Sequence, residues 1–380
     1  MLVIIGLVIF WYGLVPVGGA FIVRRTWRLF RRRFDDLRLK PLLDYGRYGT
    51  GGVYRFTGGF ESVTDRHTLW IRSSTLTIPV ALTGAQTYML PMGESDRTDT
   101  SFDPGEEAPE RVRWDRISSL TEGAKVFVGG PLVSIDDRWT FVSTKENPLL
   151  VIFYDGPDRD LTTRVIRAGR HRNEYWNPIT PYSLILGAFS QIMMALAFLA
   201  RPVFRLTVMS AFAALFVPLF PLIPPGMLFT QVYRRLWWRA RIFRAYRDLI
   251  RLPLKYLSPG KTGAPETSGR LPDGERYGLV QYPELPARAR ELGIPLLIPE
   301  EQRSKEAGWC VFGALREGEE LPLEPQDVFA TYGAIPGNPE ELAHRYTVKA
   351  YGLEIIAWLV LLLGIGLNAF FIGMIIFILG

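Results

Sequence analysis

Side chains that titrate, attack or ligate are scarce in this sequence. Three histidines, His67, His171 and His344, accompany a single cysteine, Cys310. One cysteine excludes an internal disulfide framework and any zinc site built on several thiolates, and it fits a reducing compartment. Cys310 stands between Trp309 and Val311 in a strand-forming run with no histidine near it in sequence. A buried core thiol accounts for that position better than an activated nucleophile. His67 sits in a turn beside Arg66, His171 in the basic run 167–172, and His344 on a helix ahead of the last apolar stretch. Acid–base or metal chemistry needs several such groups converging. No Walker-type phosphate loop, His-Glu-x-x-His or Gly-x-Ser-x-Gly motif is present. Gly58-Gly59 and Gly129-Gly130 read as turn or bulge glycines. The expectation is therefore no catalytic, cofactor-binding or metal-binding residue and no cofactor. An enzyme would need a site assembled across domains, gathering Asp136, Asp137, His171 or Cys310.

The charged residues carry more information. The chain holds 44 Lys and Arg against 38 Asp and Glu, a net charge of +6. Eight of the cations lie in residues 24–40 and eight in 234–255. Each cluster directly follows an apolar run. Such placement suits contact with anionic headgroups and the fixing of orientation, and it argues against nucleic acid as the partner. The membrane-surface residues expected are Arg24, Arg25, Trp27, Arg31, Arg32 and Arg33 in the first cluster. In the second they are Arg234, Arg235, Trp237, Trp238, Arg239 and Arg241. In the first cluster Trp27, Phe30, Phe34 and Leu37 share one helical face; Val232, Leu236, Phe243, Tyr246 and Ile250 make the matching stripe in the second. Each stripe suits either the headgroup plane or the protein's own soluble domain.

These clusters are positioned by apolar elements. Residues 2–23 and 355–379 contain no charged side chain, and about 20 apolar residues suffice to cross a bilayer as a helix. No basic n-region or small-residue cleavage signature marks the start as a signal peptide. Residues 181–230 are nearly all apolar, interrupted by Arg201-Pro202 and Arg205, and read as a helical hairpin with Pro218, Pro221, Pro224 and Pro225 near its inner end; a re-entrant hairpin is the other reading. Under the positive-inside rule both clusters are cytoplasmic and both termini lie outside. Inside the spans, Gln191 and Asn368 sit near mid-depth, where a mutual hydrogen bond would be worth about 0.5–2 kcal/mol. Ala369 and Gly373 form a small-xxx-small pair for close helix approach. So few polar groups suit packing better than conduction.

The organisation expected is a first transmembrane helix (1–23), a basic amphipathic helix (24–45), a β-rich domain (46–180), the hairpin (181–230), a second basic helix (231–257), a flexible linker (258–276), a smaller β-rich domain (277–337), and a helix continuing into the last span (338–380). Asn338-Pro339-Glu340-Glu341 marks that last start: a capping side chain, a proline in the first turn, then acids at the positive dipole end. Strand runs appear at 53–56, 68–71, 77–82, 125–128, 139–142 and 149–154, with an acidic, turn-rich loop at 93–109.

The order repeats. Arg24-Arg25 and Trp27 lead to Asp36-Leu37 and Pro41-Leu42; Arg234-Arg235 and Trp237 lead to Asp248-Leu249 and Pro253-Leu254. Before them stand Leu14-Val15-Pro16 with Gly18, and Leu222-Ile223-Pro224 with Gly226. Residues 306–315 echo 122–132. A further echo lies within the first domain, where Phe56, Gly58, Gly59 and an Asp-Arg turn at 65–66 recur as Phe127, Gly129, Gly130 and Asp137-Arg138. The fold class read from this is an α+β membrane protein, with about four transmembrane helices and two related small β-barrel or sandwich domains of OB-like type, in tandem duplication.

Val311-Phe-Gly-Ala-Leu315, Asp327-Val-Phe and Asn338-Pro-Glu-Glu-Leu342, running into a Leu/Gly-rich span, resemble the membrane-proximal (beside-a-membrane) module of GIDE-type proteins. The resemblance covers short stretches near 120–200 and 306–373. It implies a β module between two membrane helices. Eukaryotic members resemble ubiquitin ligases through a Cys/His RING finger, and one cysteine cannot build that finger.

The functional expectation is a non-enzymatic multi-pass protein of the cell (inner) membrane, presenting two β domains at the cytoplasmic face for scaffolding or partner binding. The alternative is a lipid- or small-ligand-binding protein, then an enzyme with a site between domains. Expected partners are a bilayer with anionic headgroups, a protein of unknown identity and a second copy of the chain, with no nucleic acid.

Overall fold

The computed structural model describes residues 2–47, 51–64, 67–90, 110–112, 124–170, 174–257, 268–298 and 308–379. The acidic loop, the Asp65-Arg66 turn, His171 and the first part of the linker lie outside the described residues. The chain divides into a helical unit, residues 1–28, 171–243 and 348–380, and a β-containing unit, residues 29–170 and 244–347.

In the helical unit the first apolar run is α1 (Leu2–Val8), a π-helical turn (Ile9–Leu14) and the start of α2 (Val15–Arg38). The basic cluster continues α2 without a break, so the two segments expected at 1–23 and 24–45 are one helical course. α4 (Thr180–Leu199) lies antiparallel to it: Asn177 Nδ2 donates to Pro16 O at 2.9 Å, Ser183 Oγ to Trp11 O, the Tyr12 ring covers Gly187, and Ile4 packs with Ala195. The last helix, α7 (Pro339–Leu379), has 41 residues, and Asn338 Oδ1 accepts from the Glu340 amide at 2.9 Å. Among the described residues three helical stretches, Leu2–Arg38, Thr180–Leu199 and Pro339–Ile378, are long and apolar enough to cross a membrane.

The remaining expected span is not one helix. It consists of α5 (Arg205–Ala214), a 3-10 segment (Val217–Leu222), extended Ile223 and then α6 (Gly226–Leu254). Pro218, Pro221, Pro224 and Pro225 remove the amide donors a continuous helix would need.

In the β unit the strand runs form β1 (Gly52–Thr64), β2 (Thr68–Arg72), β3 (Thr77–Ala81), β6 (Lys125–Ile135), β7 (Arg138–Phe141) and β8 (Leu150–Tyr154), joined by β4 (Gln86–Met89) and β5 (Glu110–Arg111). β1, β2, β3, β7 and β6 pair in that order, and β6 pairs back onto β1, closing a five-stranded ring in which only β3–β7 is parallel. β8, β4 and β5 extend it from β6. The inward positions Phe56, Leu69, Ile71, Val80, Val126, Val128 and Phe141 fill one core. Asp136 and Asp137, at φ 50° and 57°, form the two-residue turn between Ile135 and Arg138, so the turn falls one residue ahead of the expected Asp-Arg pair. Short polar side chains tolerate this left-handed geometry best after glycine.

The second β region differs. β9 (Ser268–Arg270), β10 (Arg276–Tyr282), β11 (Trp309–Ala314) and β12 (Gly333–Pro336) make a four-stranded antiparallel meander, with no closing pair among the described residues. The two regions therefore do not share one strand order. The linker is also shorter than expected, because 268–276 folds as a hairpin: Leu271 N bonds Glu275 O at 2.9 Å across Pro272-Asp273-Gly274, with Gly274 at φ 95°.

Candidate functional site

Two of the structure's groupings follow directly from the basic clusters. In the helical unit Arg24 Nε donates to Glu174 Oε2 at 2.8 Å. Arg241 reaches the other oxygen of Glu174 at 3.3 Å and donates to Glu354 Oε1 at 2.8 Å. Glu174, Arg241 and Glu354 are buried. The Arg241 guanidinium stacks 4.3 Å over Trp237, and Tyr233 and Trp358 pack on the same indole. Two cations and two anions alternate, so the chain's segments meet without an uncompensated buried charge. Phe21, Arg24, Glu174, Tyr233, Trp237 and Trp358 help enclose a cavity of about 50 Å³ here.

Of the expected membrane-surface residues, Arg24, Trp237 and Arg241 are thus drawn inward by Glu174 and Glu354. Arg31 and Arg33, in the β unit, donate to Ala168 O at 2.6 Å and Pro148 O at 2.7 Å. Arg25, Arg32, Arg234, Arg235 and Arg239 are exposed, and Trp27 and Trp238 are half-buried. The stripe Phe30, Phe34 and Leu37 is buried on the β sheet, meeting Tyr88, Phe127 and Gly129; a side chain at Gly129 would collide with Leu37. In α6 the inward face is Tyr233, Trp237, Ala240 and Arg241, one residue round from the expected Val232 and Leu236, because the aromatic stack and the ion pairs outweigh two aliphatic contacts.

Gln191 and Asn368 do not bond each other. Asn368 Nδ2 donates to Phe220 O at 2.8 Å and Ile223 O at 2.9 Å. Phe220 O is the carbonyl whose helical donor would be the amide of Pro224, which has none. The asparagine replaces it. Gln191 is fully buried, and its amide has no partner among the described residues. Ala369 and Gly373 face outward, and a side chain at Gly373 would meet open space.

In the β unit, buried Arg38 bonds Asp35 at 2.6 Å, Tyr256 Oη at 2.9 Å and Leu252 O at 3.1 Å. Buried Arg55 bonds Lys40 O at 2.7 Å and grips both oxygens of Asp327, one at 2.9 Å. Arg38 and Arg55 thereby tie α2 and the closed ring to the end of α6 and to the second β region.

Beside this tie lies the candidate site, a cleft of about 550 Å³ within the β unit. One wall is α3 (Asp158–Arg167), a helix absent from the sequence expectations, whose Leu161, Val165 and Ile166 are buried. It presents Arg159, Asp160, Thr162, Thr163 and Arg167 to the cleft. The loops at 292–297 and 324–332 also line it, the second held by Asp327 on Arg55 and by Phe329 against Phe127, ring centroids 5.5 Å apart. Leu249 and Leu252 of α6 line it as well. Thr162 Oγ1 and Thr331 Oγ1 are buried without a hydrogen-bond partner among the described residues. A cleft of this size with convergent polar groups is within the range of small-molecule and short-segment sites. The sequence signal that would have found its first wall is Pro157-Asp158-x-Asp160 with Arg164 and Arg167 four and seven residues further on, a short helix with charges matched to its dipole.

The residues proposed for an assembled catalytic site do not signal one. Asp136 and Asp137 occupy an exposed turn, and Cys310 is buried in β11, where burial pushes its thiol up to about 11. Among the described residues no group of three or more His, Cys, Asp and Glu is placed to hold a metal ion. Comparison with protein-family models, curated proteins and solved structures finds no match for the chain.

Proposed function

We propose that this chain is a non-enzymatic multi-pass membrane protein that presents its β unit at the cytoplasmic face for partner binding. The observation that carries the reading is the Arg38 and Arg55 tie, which joins the ring and the second β region into one body beside an open cleft. A body held by desolvated, paired guanidiniums keeps its surface preorganised, which lowers the cost of binding. The exposed arginines Arg25, Arg32, Arg234, Arg235 and Arg239 suit an anionic leaflet, at about 1 kcal/mol each. The same placement supports cytoplasmic β regions, and a β module flanked by membrane helices is what the likeness to GIDE-type modules implies. The five-stranded ring, with its single parallel pair, supports an OB-like reading of the first region alone.

Site-specific photocrosslinking in intact cells tests this. A photoreactive residue at Val328, which is half-exposed at the cleft, should yield discrete adducts, and one at Ile135, exposed on β6, should not. Equal adducts at both positions, or none at either, defeat the reading. Cysteine labelling at Glu146 and Glu317 tests the sidedness; labelling from opposite faces of the membrane removes the shared compartment.

The lipid- or small-ligand reading keeps one observation in its favour, the cleft's size. Its walls carry two arginines, three acids and three threonines beside their leucines, more polar than an acyl chain prefers.

A further inference from the structure

The Pro-x-Gly motif of each half has surroundings that match in the helical unit. In the first half Pro16 has no amide to offer. The carbonyls four and five residues before it, Tyr12 O and Trp11 O, lack the donor that an α- or π-helical turn would supply at that position. Val15 N instead reaches back to Phe10 O. Tyr175 Oη donates to Tyr12 O at 2.8 Å, and Ser183 Oγ donates to Trp11 O. In the second half Phe220 O holds the place of Tyr12 O, four residues before Pro224, and takes Asn368 Nδ2 at 2.8 Å. A glycine makes room for an asparagine in both. A side chain on Gly226 would collide with Asn368 and Phe220 O. One on Gly19 would collide with Asn177, whose Nδ2 donates to Pro16 O at 2.9 Å. A side chain on Gly18 would meet open space.

The helix is irregular just ahead of each motif. A π-helical turn (Ile9–Leu14) precedes Pro16, and the 3-10 segment (Val217–Leu222) precedes Pro224. Irregular turns inside a helical course are where hinges and functional sites concentrate. Beyond the two breaks the arms α1 and α5 share one apolar cluster with α4, built on Ile4, Ala195, Val208 and Ala211. We propose that the two motifs are linked hinges, each held closed by side-chain donors from outside its own helix. The prolines free the carbonyls, the donors of Tyr175, Ser183 and Asn368 clasp them, and the glycines let the asparagines approach. The shared cluster couples the arms, so that opening one clasp moves both. The hinges stand whatever the β unit binds.

The test uses the full chain in detergent micelles, carrying pairs of nitroxide labels. One pair joins Ile5 on α1 to Met374 on α7, and the other joins Leu206 on α5 to Met374; all three positions are exposed, and Cys310 is buried. Double electron–electron resonance on the parent should give one narrow distance for each pair. An arm about 15 Å long that turns through about 20° carries its tip about 5 Å. Tyr175→Phe with Ser183→Ala opens the first clasp, and Asn368→Leu opens the second. Either change should shift or broaden both distances by about 5 Å. Gly19→Ala should act in the same way, and Gly18→Ala should not. The proposal is overturned if both distances stay as in the parent while the unfolding midpoint falls, as static packing would give. It is overturned equally if the shift is confined to one pair, or if Gly18→Ala acts like Gly19→Ala.

Discussion

The two basic clusters share a sequence pattern, yet they spend their charges differently. In α2, Arg24 turns to Glu174, Arg31 and Arg33 bond main-chain carbonyls, and Arg38 is buried among Asp35, Tyr256 and Leu252. In α6, Arg234, Arg235 and Arg239 remain exposed, and Arg241 is buried between two glutamates. The discriminating residues are the acids. An arginine beside a membrane-length apolar run faces water or headgroups unless a carboxylate within reach compensates its burial. Glu174 and Glu354 sit just outside the apolar runs, and that border position is the readable sign of an inward-turned cation.

Each way to break this contrast begins with an acid or the group standing in for one. Glu174→Leu strands Arg24 and leaves Arg241 only Glu354, and should cost about 3–5 kcal/mol, seen as a lower midpoint for thermal unfolding in detergent. Replacing all four charged groups, Arg24→Met, Glu174→Leu, Arg241→Met and Glu354→Leu, should recover most of that loss. A loss below about 1 kcal/mol for the single variant would show that water reaches the cluster. Arg55→Met should cost about 3 kcal/mol by urea denaturation, the low end of the range, since the Phe329 amide still donates to Asp327 at 3.0 Å. Asn368→Leu leaves the Phe220 carbonyl buried and unpaired, a loss of about 1–3 kcal/mol, while Asn368→Gln should differ from it if geometry matters.

A smaller effect is expected from pH. Burial alone would raise the Asp248 carboxyl, but Arg170 and Arg247 outweigh it and hold it below its ordinary value. The folded state therefore keeps this charge at a pH where the unfolded chain takes up a proton. Its contribution is present above about pH 4 and is lost as acid carries the solution down through the folded value. Asp248→Asn should flatten that acid limb in a pH series of unfolding midpoints. The smallest stability change belongs to Arg234→Gln, Arg235→Gln and Arg239→Gln, within about 0.5 kcal/mol each. The same triple variant should lose affinity for vesicles containing phosphatidylserine, at about 1 kcal/mol per residue. A large stability loss there would erase the distinction between inward and outward arginines.

Much of the β unit was legible because alternation and turn residues are local signals. The six expected strand runs are β1, β2, β3, β6, β7 and β8. β4 escaped because Gln86–Met89 is short and meets a parallel partner from far along the chain, Leu150–Phe153. The Phe30, Phe34 and Leu37 stripe was legible as a face, and its partner was not, since either lipid or protein suits such a face. In the α6 stripe Tyr246 and Ile250 are buried as expected, and only its start was read one residue off, because aliphatic period alone ignores the stacking of Tyr233, Trp237 and Trp358. The cleft was invisible for a simpler reason: its walls come from residues 159–167, 249–252, 292–297 and 324–332, and no local pattern links them.

The ladder between β1 and β6 has one more implication. Phe56 faces Val128, and Thr57 faces Phe127, while in the internal echo Phe56 corresponds to Phe127 and Thr57 to Val128. Exchanging the two copies carries the Phe56–Val128 rung onto Thr57–Phe127, and the rungs at Tyr54 and Arg55 onto those at Gly59 and Gly58. Two hairpins of common descent, once paired across a dyad as separate chains and later fused, would leave this signature, and an isolated 51–72 hairpin peptide that dimerised in solution would be its surviving trace.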